Sequence, residues 1–364
     1  MARMPAIVVP LVVASCFAQS ESFDQIARKA DAARQHDQLD QAARLYQRAL
    51  RLKPSWAEGW WSLGTIYYDS DKHAECVAAF TRFVALKPEV GPAHALLGLC
   101  EFGRGDYDAA LHQLFEAQRY GFAGDPHIRE VSLYHTAVAL ILKRQFEKAL
   151  EQLAMLVAAS PPGPLVRTAA GLAALRKPLL PERVPEADRP LVSETGDAVI
   201  LQLTRHTEEA ARAFESLLAA HPREPELHYA YGAMLLGSDP AKGLQLLAQE
   251  LEISPEHVPA LASIALEYLK ENDPAAARPY AEKAAHDGPS DFVARMAYGR
   301  VLLELNDVPR AIAELEAAAK FAPDSPQVHF SLASAYARAG RTAEAANQRK
   351  EFLRLQKLLD SVRK

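Results

Sequence analysis

Prolines recur at a fixed interval along this chain. Pro54 and Pro88 are 34 residues apart, and the same interval separates Pro255 from Pro289 and Pro289 from Pro323. An interval of this length, filled with helical patterns, is typical of a solenoid in which each unit is a pair of helices packed against the next. The sequence therefore predicts an all-α superhelical solenoid, so a length of 364 residues does not imply two or three compact domains.

Each unit contains two amphipathic helical patterns separated by a turn. In the clearest unit, Trp60, Leu63, Gly64 and Tyr67 recur at helical spacing, and Phe80 lies on the second pattern. A small residue at Gly64 lets the two helices approach closely, because a bulky side chain there would hold them apart. Small residues fill the equivalent position in other units: Ala30, Gly98, Ala137, Gly232, Ala265, Gly299 and Ala333.

These patterns resemble the tetratricopeptide repeat. The resemblance is carried by W-W-S-L-G-T-I-Y-Y, A-Y-G-R-V-L-L-E-L-N-D-V-P-R-A-I-A-E-L-E-A-A and F-S-L-A-S-A-Y-A-R-A-G-R-T-A-E-A-A. It implies about nine helix-turn-helix units in two arrays, whose first helices line a concave face that binds other proteins. The units are expected at 23–56, 57–90, 91–125, 127–161, 191–224, 225–257, 258–291, 292–325 and 326–359.

Two units depart from the pattern of the family. The unit at 91–125 has Gly121-Phe122-Ala123-Gly124 where a closing proline is usual, and the first helix of the unit at 191–224 lacks the usual aromatic residue and glycine.

Residues 162–190 interrupt the repeat and divide the chain into an N-terminal array at 19–161 and a C-terminal array at 191–364. Only one helical stretch remains there, roughly from Leu165 to Leu175, because the prolines that follow prevent a continuous helix. We expect a joint that is either a packed, degenerate repeat or a flexible hinge, and the apolar Leu179 and Leu180 favour the packed form. Seven prolines fall at or next to this joint: Pro161, Pro162, Pro164, Pro178, Pro181, Pro185 and Pro190.

The first 18 residues have the layout of a secretory signal peptide. Arg3 precedes an apolar run at 6–13, and small residues follow. The run is shorter than the ~20 apolar residues that a membrane-spanning helix needs. We therefore expect an exported protein that is periplasmic or associated with the cell envelope.

Two ways of processing this segment are possible. Small residues at Cys16 and Ala18 favour simple cleavage that leaves Gln19 first. The segment Val13-Ala14-Ser15-Cys16 also resembles a bacterial lipobox, in which Cys16 would be acylated and would anchor the protein on a membrane. An uncleaved apolar tail is the third reading.

No pattern for catalysis, for a cofactor or for a metal stands out. A glycine-rich phosphate loop, H-E-x-x-H, C-x-x-C and G-x-S-x-G are all missing. His94, His112, His127 and His135 fall within two units, but we expect them to serve packing or the surface rather than a metal site. We predict a protein that is not an enzyme and uses no cofactor.

The chain has three cysteines, too few for a disulfide framework. Cys76 and Cys100 lie in adjacent units and could pair in an oxidising compartment. Because Cys76 occupies a small-residue packing position, we favour two buried free thiols.

The first helix of each unit carries a second strip of side chains beside its core strip, and we take this strip as the partner-binding face. Rigid aromatic side chains on an accessible groove dominate contacts with proteins and peptides. The alternative is that they pack against neighbouring helices. The candidate partner-binding residues are Trp61, Thr65, Tyr68, Leu99, Phe102, Tyr134, Val138 and Tyr229.

The family also implies what this face does not bind. Its members that grip charged chaperone C-termini use a clamp of Lys, Asn and Arg on the equivalent strip, which here is apolar at Trp61, Ala95 and Leu99. The clamp is missing, so the groove is expected to prefer an apolar or aromatic segment, either an extended peptide or an amphipathic helix.

Charge adds two expectations. A formal net charge of −5 argues against nucleic acid as a partner, because phosphate contacts need clustered Lys and Arg. The stretch from Arg341 to Lys364 is locally basic and also apolar, and we expect a solvated capping helix, with a lipid-facing helix as the alternative.

These observations predict a non-enzymatic scaffold of the bacterial cell envelope that binds a protein or peptide. The alternatives are a membrane-anchored assembly lipoprotein, held through Cys16 and able to associate with itself, and an accessory subunit of an envelope complex. The partner itself is not encoded in any recognisable motif.

Overall fold

The computed structural model describes residues 21–362 and the side chains of 21–358. The expected signal peptide at 1–18, with Cys16, lies outside these residues. Every regular element in the described part is helical. The α-helices are α1 Phe23–Gln35, α2 Leu39–Leu52, α3 Ala57–Asp69, α4 His73–Leu86, α5 Gly91–Gly103, α6 Tyr107–Tyr120, α7 Pro126–Leu142, α8 Phe146–Val157, α9 Pro164–Ala174, α10 Arg189–Leu203, α11 Thr207–Ala220, α12 Leu227–Leu235, α13 Pro240–Ile253, α14 Val258–Lys270, α15 Pro274–Asp287, α16 Phe292–Glu304, α17 Val308–Phe321, α18 Pro326–Arg338 and α19 Thr342–Val362.

The helices form antiparallel hairpins in sequence order. Each of the nine expected units contains one hairpin, from α1 with α2 to α18 with α19. The second helix of a unit also packs against the first helix of the next, except at the joint, where α8 packs mainly on α9. The prediction of an all-α solenoid of helical hairpins is confirmed.

The turn inside most hairpins has the same backbone conformation. After α3, Asp71 adopts a left-handed φ of 53°, and the Lys72 amide donates to the carbonyl of Tyr67, five residues earlier. This six-residue closure satisfies carbonyls that the helix end would leave unpaired. Left-handed residues recur at this position in other units: Asp37, Gly105, Arg144, Arg205, Asn272, Asn306 and Gly340.

The glycine segment that replaces a closing proline in the third unit has a structural purpose. Gly121 ends α6 with a φ of 81°. Its carbonyl oxygen lies so close to Gly91, at the start of α5, that a Cβ on Gly91 would collide with it. A glycine pair therefore closes this unit, where most other units use proline.

The joint is packed, and its helix α9 ends as a first helix of a unit does. Arg176 takes the left-handed turn conformation with a φ of 50°, and the Lys177 amide donates to the carbonyl of Leu172. Helix α9 then packs along α10, and a Cβ on either Gly171 or Gly196 would collide with the backbone of the other helix. In this structure the joint is thus packed against the helices beside it.

The rest of the joint covers this hairpin. Two short 3-10 turns, Pro181–Arg183 and Glu186–Asp188, connect α9 to α10, and Val184 between them is 4% exposed. One apolar cluster runs from Leu111 to Leu246 without a break. The two arrays therefore share a continuous core through the joint.

The expectation of two free thiols is wrong. Cys76 on α4 and Cys100 on α5 are fully buried and form a disulfide, with their Cα atoms 6.1 Å apart. The second helix of one unit packs directly on the first helix of the next, so both side chains lie in the same layer between units. This separation is within the range that a disulfide spans.

Among the described helices, none is both long enough and apolar enough to cross a membrane.

Candidate functional site

The candidate site is a strip on the first helices α3, α5 and α7, which pack side by side. We call it the groove face and define it by Trp61, Thr65, Tyr68, Phe102 and Tyr134. All five side chains are half-buried, so each offers part of its surface to solvent.

Trp61 is held in place by two aromatic rings of α4. Its indole contacts the rings of Phe80 at 5.7 Å and Phe83 at 5.2 Å, both on α4 of the same hairpin. Aromatic pairs at these centroid distances stabilise one another beyond their burial. An aromatic side chain that is already fixed loses little conformational entropy when a partner binds to its open face.

Thr65 and Tyr68 continue the strip along α3. The Thr65 hydroxyl donates to the carbonyl of Ser62 at 3.0 Å, so this polar group is satisfied within its own helix. Partial burial raises the pKa of Tyr68, and the carboxylates of Asp69 and Asp71 raise it further. The phenol is therefore neutral at physiological pH and can act as a hydrogen-bond donor beside an apolar surface.

Phe102 and Tyr134 extend the strip onto the next two units. The ring of Phe102 contacts Tyr107 at 5.3 Å and His135 at 4.9 Å. Burial lowers the pKa of His135, whose Nδ1 lies 2.8 Å from the carbonyl of Val131. A neutral imidazole thus forms part of this aromatic cluster.

The joint reaches the groove face at Tyr134. Burial raises the pKa of Tyr134, and the carboxylate of Glu182 on the first 3-10 turn raises it further. The same carboxylate also acts on His135. A proline-containing segment of the chain itself, with Glu182 on its 3-10 turn, therefore lies against the end of the strip.

Leu99 and Val138 differ from the expectation for partner-binding residues. They are 6% and 1% exposed, because the neighbouring helices of the stack cover them. Small residues such as Ala95 allow this close stacking. Leu99 and Val138 therefore present almost no side-chain surface to a partner.

Tyr229 belongs to a different environment from the other candidates. Its ring contacts the imidazole of His257 at 4.7 Å, and the guanidinium of Arg176 lies 5.9 Å from its centroid. Burial raises the pKa of this phenol. Tyr229 packs within the junction of the two arrays, apart from the aromatic strip of α3, α5 and α7.

A polar network at this junction was not visible in the sequence. Arg176 pairs with Glu147 of the first array, stacks on Phe146 at 4.8 Å and lies 3.8 Å from Glu226 of the second array. Glu226 in turn lies 2.7 Å from Nε2 of His257. The sequence around Arg176 contains no pattern that would predict these partners, because they are far from Arg176 along the chain.

Helix α12 begins on a buried carboxylate of the same network. Glu250 on α13 is fully buried and accepts hydrogen bonds from the amides of Glu226 at 3.0 Å and Tyr229 at 3.2 Å. Amides at a helix N-terminus favour a negative charge. The network is thus satisfied within the chain and has a structural role at the junction.

The four histidines considered for a metal site, which are His94, His112, His127 and His135, do not form a cluster among the described residues. His94 is bound between Gln113 Oε1 at 2.7 Å and the carbonyl of Pro88 at 2.9 Å, and His135 is bound to Val131. Among the residues that the structure describes, no group of three or more His, Cys, Asp or Glu side chains is arranged to hold a metal ion.

The fold and the strip define a class: a solenoid of helical hairpins with an aromatic face on its first helices. Models of the tetratricopeptide repeat match the sequence at residues 28–89, 67–126 and 204–257, and a second such model matches residues 268–335. Together these matches cover more than half of the chain. The chain belongs to the tetratricopeptide-repeat family, whose architecture is that of a protein-interaction scaffold.

Solved structures similar to this chain include three of the protein MamA. One is MamA from Desulfovibrio magneticus RS-1, comprising residues 41 to the end. It is 19% identical, with a TM-score of 0.40, and the match covers 45% of this chain and 93% of that chain. MamA of AMB-1 is 22% identical, with a TM-score of 0.38, over 45% and 98%. MamA of MSR-1 is 22% identical, with a TM-score of 0.37, over 46% and 96%. No curated protein matches the sequence.

Proposed function

We propose that this chain is a non-enzymatic scaffold of the bacterial cell envelope that binds an apolar or aromatic segment of another protein through its groove face. The observation that carries the proposal is the strip of Trp61, Thr65, Tyr68 and Phe102, which is half-buried and continuous across two units. Buried aromatic anchors supply most of the binding free energy in protein interfaces.

The geometry supports a neutral partner segment. Trp61 and Phe102 are apolar, Tyr68 stays neutral, and none of these positions carries the cationic side chains that would bind a carboxylate. At Tyr134 the strip already lies beside a proline-rich stretch whose Leu180 and Val184 have extended φ and ψ angles. An extended apolar peptide therefore suits the adjoining surface.

The envelope location rests on the signal-like segment and is supported by the disulfide, since disulfides persist in oxidising compartments outside the cytosol. Mass spectrometry of the mature protein tests it. A plain Gln19 N-terminus supports export with cleavage, and an acylated Cys16 supports the lipoprotein alternative. A mature chain that still begins at Met1 and contains free Cys76 would exclude both.

Affinity capture from cell envelopes tests the groove face. Replacing Trp61, Tyr68 and Phe102 together with Ala should lower the recovery of partner proteins by at least about tenfold, because truncating one interface aromatic commonly costs more than 1 kcal/mol. Quantitative mass spectrometry of the captured proteins measures the change.

The matched control is Phe115→Ala. Phe115 lies on the second helix α6 and is 39% exposed, so the substitution removes an exposed aromatic ring outside the groove face. Partner recovery should stay at the wild-type level in this variant. Equal recovery by the triple variant and the wild type would exclude the groove face as the interface.

A further inference from the structure

The unit formed by α18 and α19 has an open cleft at a position that is filled in the other units. A cavity of about 490 Å³ lies between the end of α18 and α19. Its floor is apolar and its edge is basic. The lining residues that matter here are Ala337, Ala346, Arg349, Lys350 and Leu353.

The repeat identifies what such a cleft normally contains. Shifting the lining residues of α19 back by one 34-residue unit gives Ile312, Leu315 and Glu316 on α17. Ile312 is 8% exposed and Leu315 is fully buried, since α17 packs against α16 of its own hairpin and against α18, the first helix of the next unit. The cleft on α19 is thus the surface that would receive the first helix of a tenth unit.

The exposure of equivalent residues supports this assignment. Phe330 is 57% exposed in the last unit, whereas Met296 and Ala262, at the same position one and two units earlier, are 7% and 1% exposed. Leu353 on α19 is 62% exposed. The outer face of α18 and α19 therefore has the apolar character of an internal face, and no other helix among the described residues covers it.

The opposite end of the solenoid is closed. At the positions where α18 buries Val328, Leu332 and Ala335, the first helix α1 has Gln25, Lys29 and Ala32, all of which are exposed. A terminal repeat with a polar outer face prevents further stacking. The α1 helix of a second copy therefore does not offer the apolar stripe that the cleft of α19 requires.

We propose that this cleft binds an amphipathic helix of a partner protein, with an apolar stripe on the floor and acidic residues against Arg349 and Lys350. The helical form follows from the internal equivalents of the cleft, each of which holds a helix. The acidic residues of the bound helix follow from charge complementarity, because Arg349 and Lys350 are exposed and form no ion pair within the described residues. This surface is separate from the groove face, so the proposal for the cleft and the proposal for the groove face can be refuted independently.

Binding of a designed helix to the full mature chain tests the proposal. The probe is a helix-stabilised peptide that keeps the apolar positions of α18 and has glutamate at its flanking positions, and a matched peptide has lysine there. Fluorescence anisotropy should show that the glutamate peptide binds the wild type, and Leu353→Glu should weaken that binding at least about tenfold. Reversing Arg349 and Lys350 to Glu should exchange the preference between the two peptides.

The control variant is Leu52→Glu, since Leu52 is 58% exposed near the other end of the chain. It should bind the glutamate peptide as the wild type does, and circular dichroism should show unchanged helix content in every variant. Failure of the glutamate peptide to bind, or equal binding by Leu353→Glu, would overturn the proposal. Concentration-dependent self-association, or binding to phosphatidylglycerol vesicles, that is lost in Leu353→Glu would also overturn it, because a second copy or a membrane would then be the occupant.

Discussion

Reduction of the disulfide between Cys76 and Cys100 should lower the free energy of unfolding by about 3 to 4 kcal/mol. The two cysteines are separated by 24 positions in the sequence, so the bond closes a loop of moderate length in the unfolded chain. Closing such a loop reduces the conformational entropy of the unfolded state and thus favours folding. Urea titrations of the oxidised and reduced protein, followed by circular dichroism, measure the difference.

The variant Cys100→Ala provides the control for this result. It cannot form the bond, so its unfolding should be the same with and without reductant and should resemble that of the reduced wild type. An oxidised wild type that unfolds at the same urea concentration as the reduced protein would show that the disulfide does not stabilise the fold.

Replacing Glu101 with Gln should stabilise the protein by about 2 to 3 kcal/mol near pH 8 and leave its stability nearly unchanged near pH 4. Glu101 is 8% exposed, and one of its carboxylate oxygens is buried without a hydrogen-bond partner. Burial, and after it the carboxylate of Asp106, raises the pKa of Glu101 to about 7 from its usual value of 4.5.

The sign of the pH dependence follows from this shift. Between pH 4.5 and about 7 the folded protein retains the proton of Glu101 that the unfolded chain has lost. The wild type therefore loses stability as the pH rises through this window, and above it carries the full cost of a buried charge. Below the window both states are protonated, so a neutral side chain gives no advantage.

Two substitutions separate charge from side-chain shape at this position. Urea unfolding of Glu101→Gln and of Glu101→Leu should show the same loss of the pH-dependent component, because both remove the ionisable group. If the difference in stability between wild type and Glu101→Gln is equal at the two pH values, Glu101 does not carry the buried charge proposed here.

The fold could be predicted from the sequence because its strongest signals are local and periodic. The proline interval, the small residue at Gly64 and its equivalents, and the expected unit boundaries all describe contacts within one hairpin or between neighbours. The structure places one hairpin in each expected unit. Even the helix expected from Leu165 to Leu175 is present as α9, Pro164–Ala174.

Specific contacts across the joint and between neighbouring units could not be predicted in the same way. The approach of α9 to α10 depends on Gly171 and Gly196, which are separated by the prolines of the joint. The pairing of Cys76 with Cys100 depends on the layer that two adjacent units share. Neither pair follows the repeat interval, so periodicity carries no information about them.

The groove face was predictable only in part. Spacing along α3 placed Trp61, Thr65 and Tyr68 on one strip, and all three side chains are half-buried there. It did not identify Leu99 and Val138 as buried, because their exposure is set by how closely the next helix stacks and not by their own helix. Residue spacing predicts the direction of a side chain, but the neighbouring unit decides whether it is open.

Photo-crosslinking in the cell tests most directly whether the groove face binds a partner. A photoreactive amino acid at Thr65, in the middle of the strip, should form a covalent adduct with a specific partner protein. The same amino acid at Phe115 should not form it, and the adduct from position 65 should disappear when Trp61 and Tyr68 are replaced with Ala. No adduct at position 65, or the same adducts from both positions, would contradict binding at the groove face.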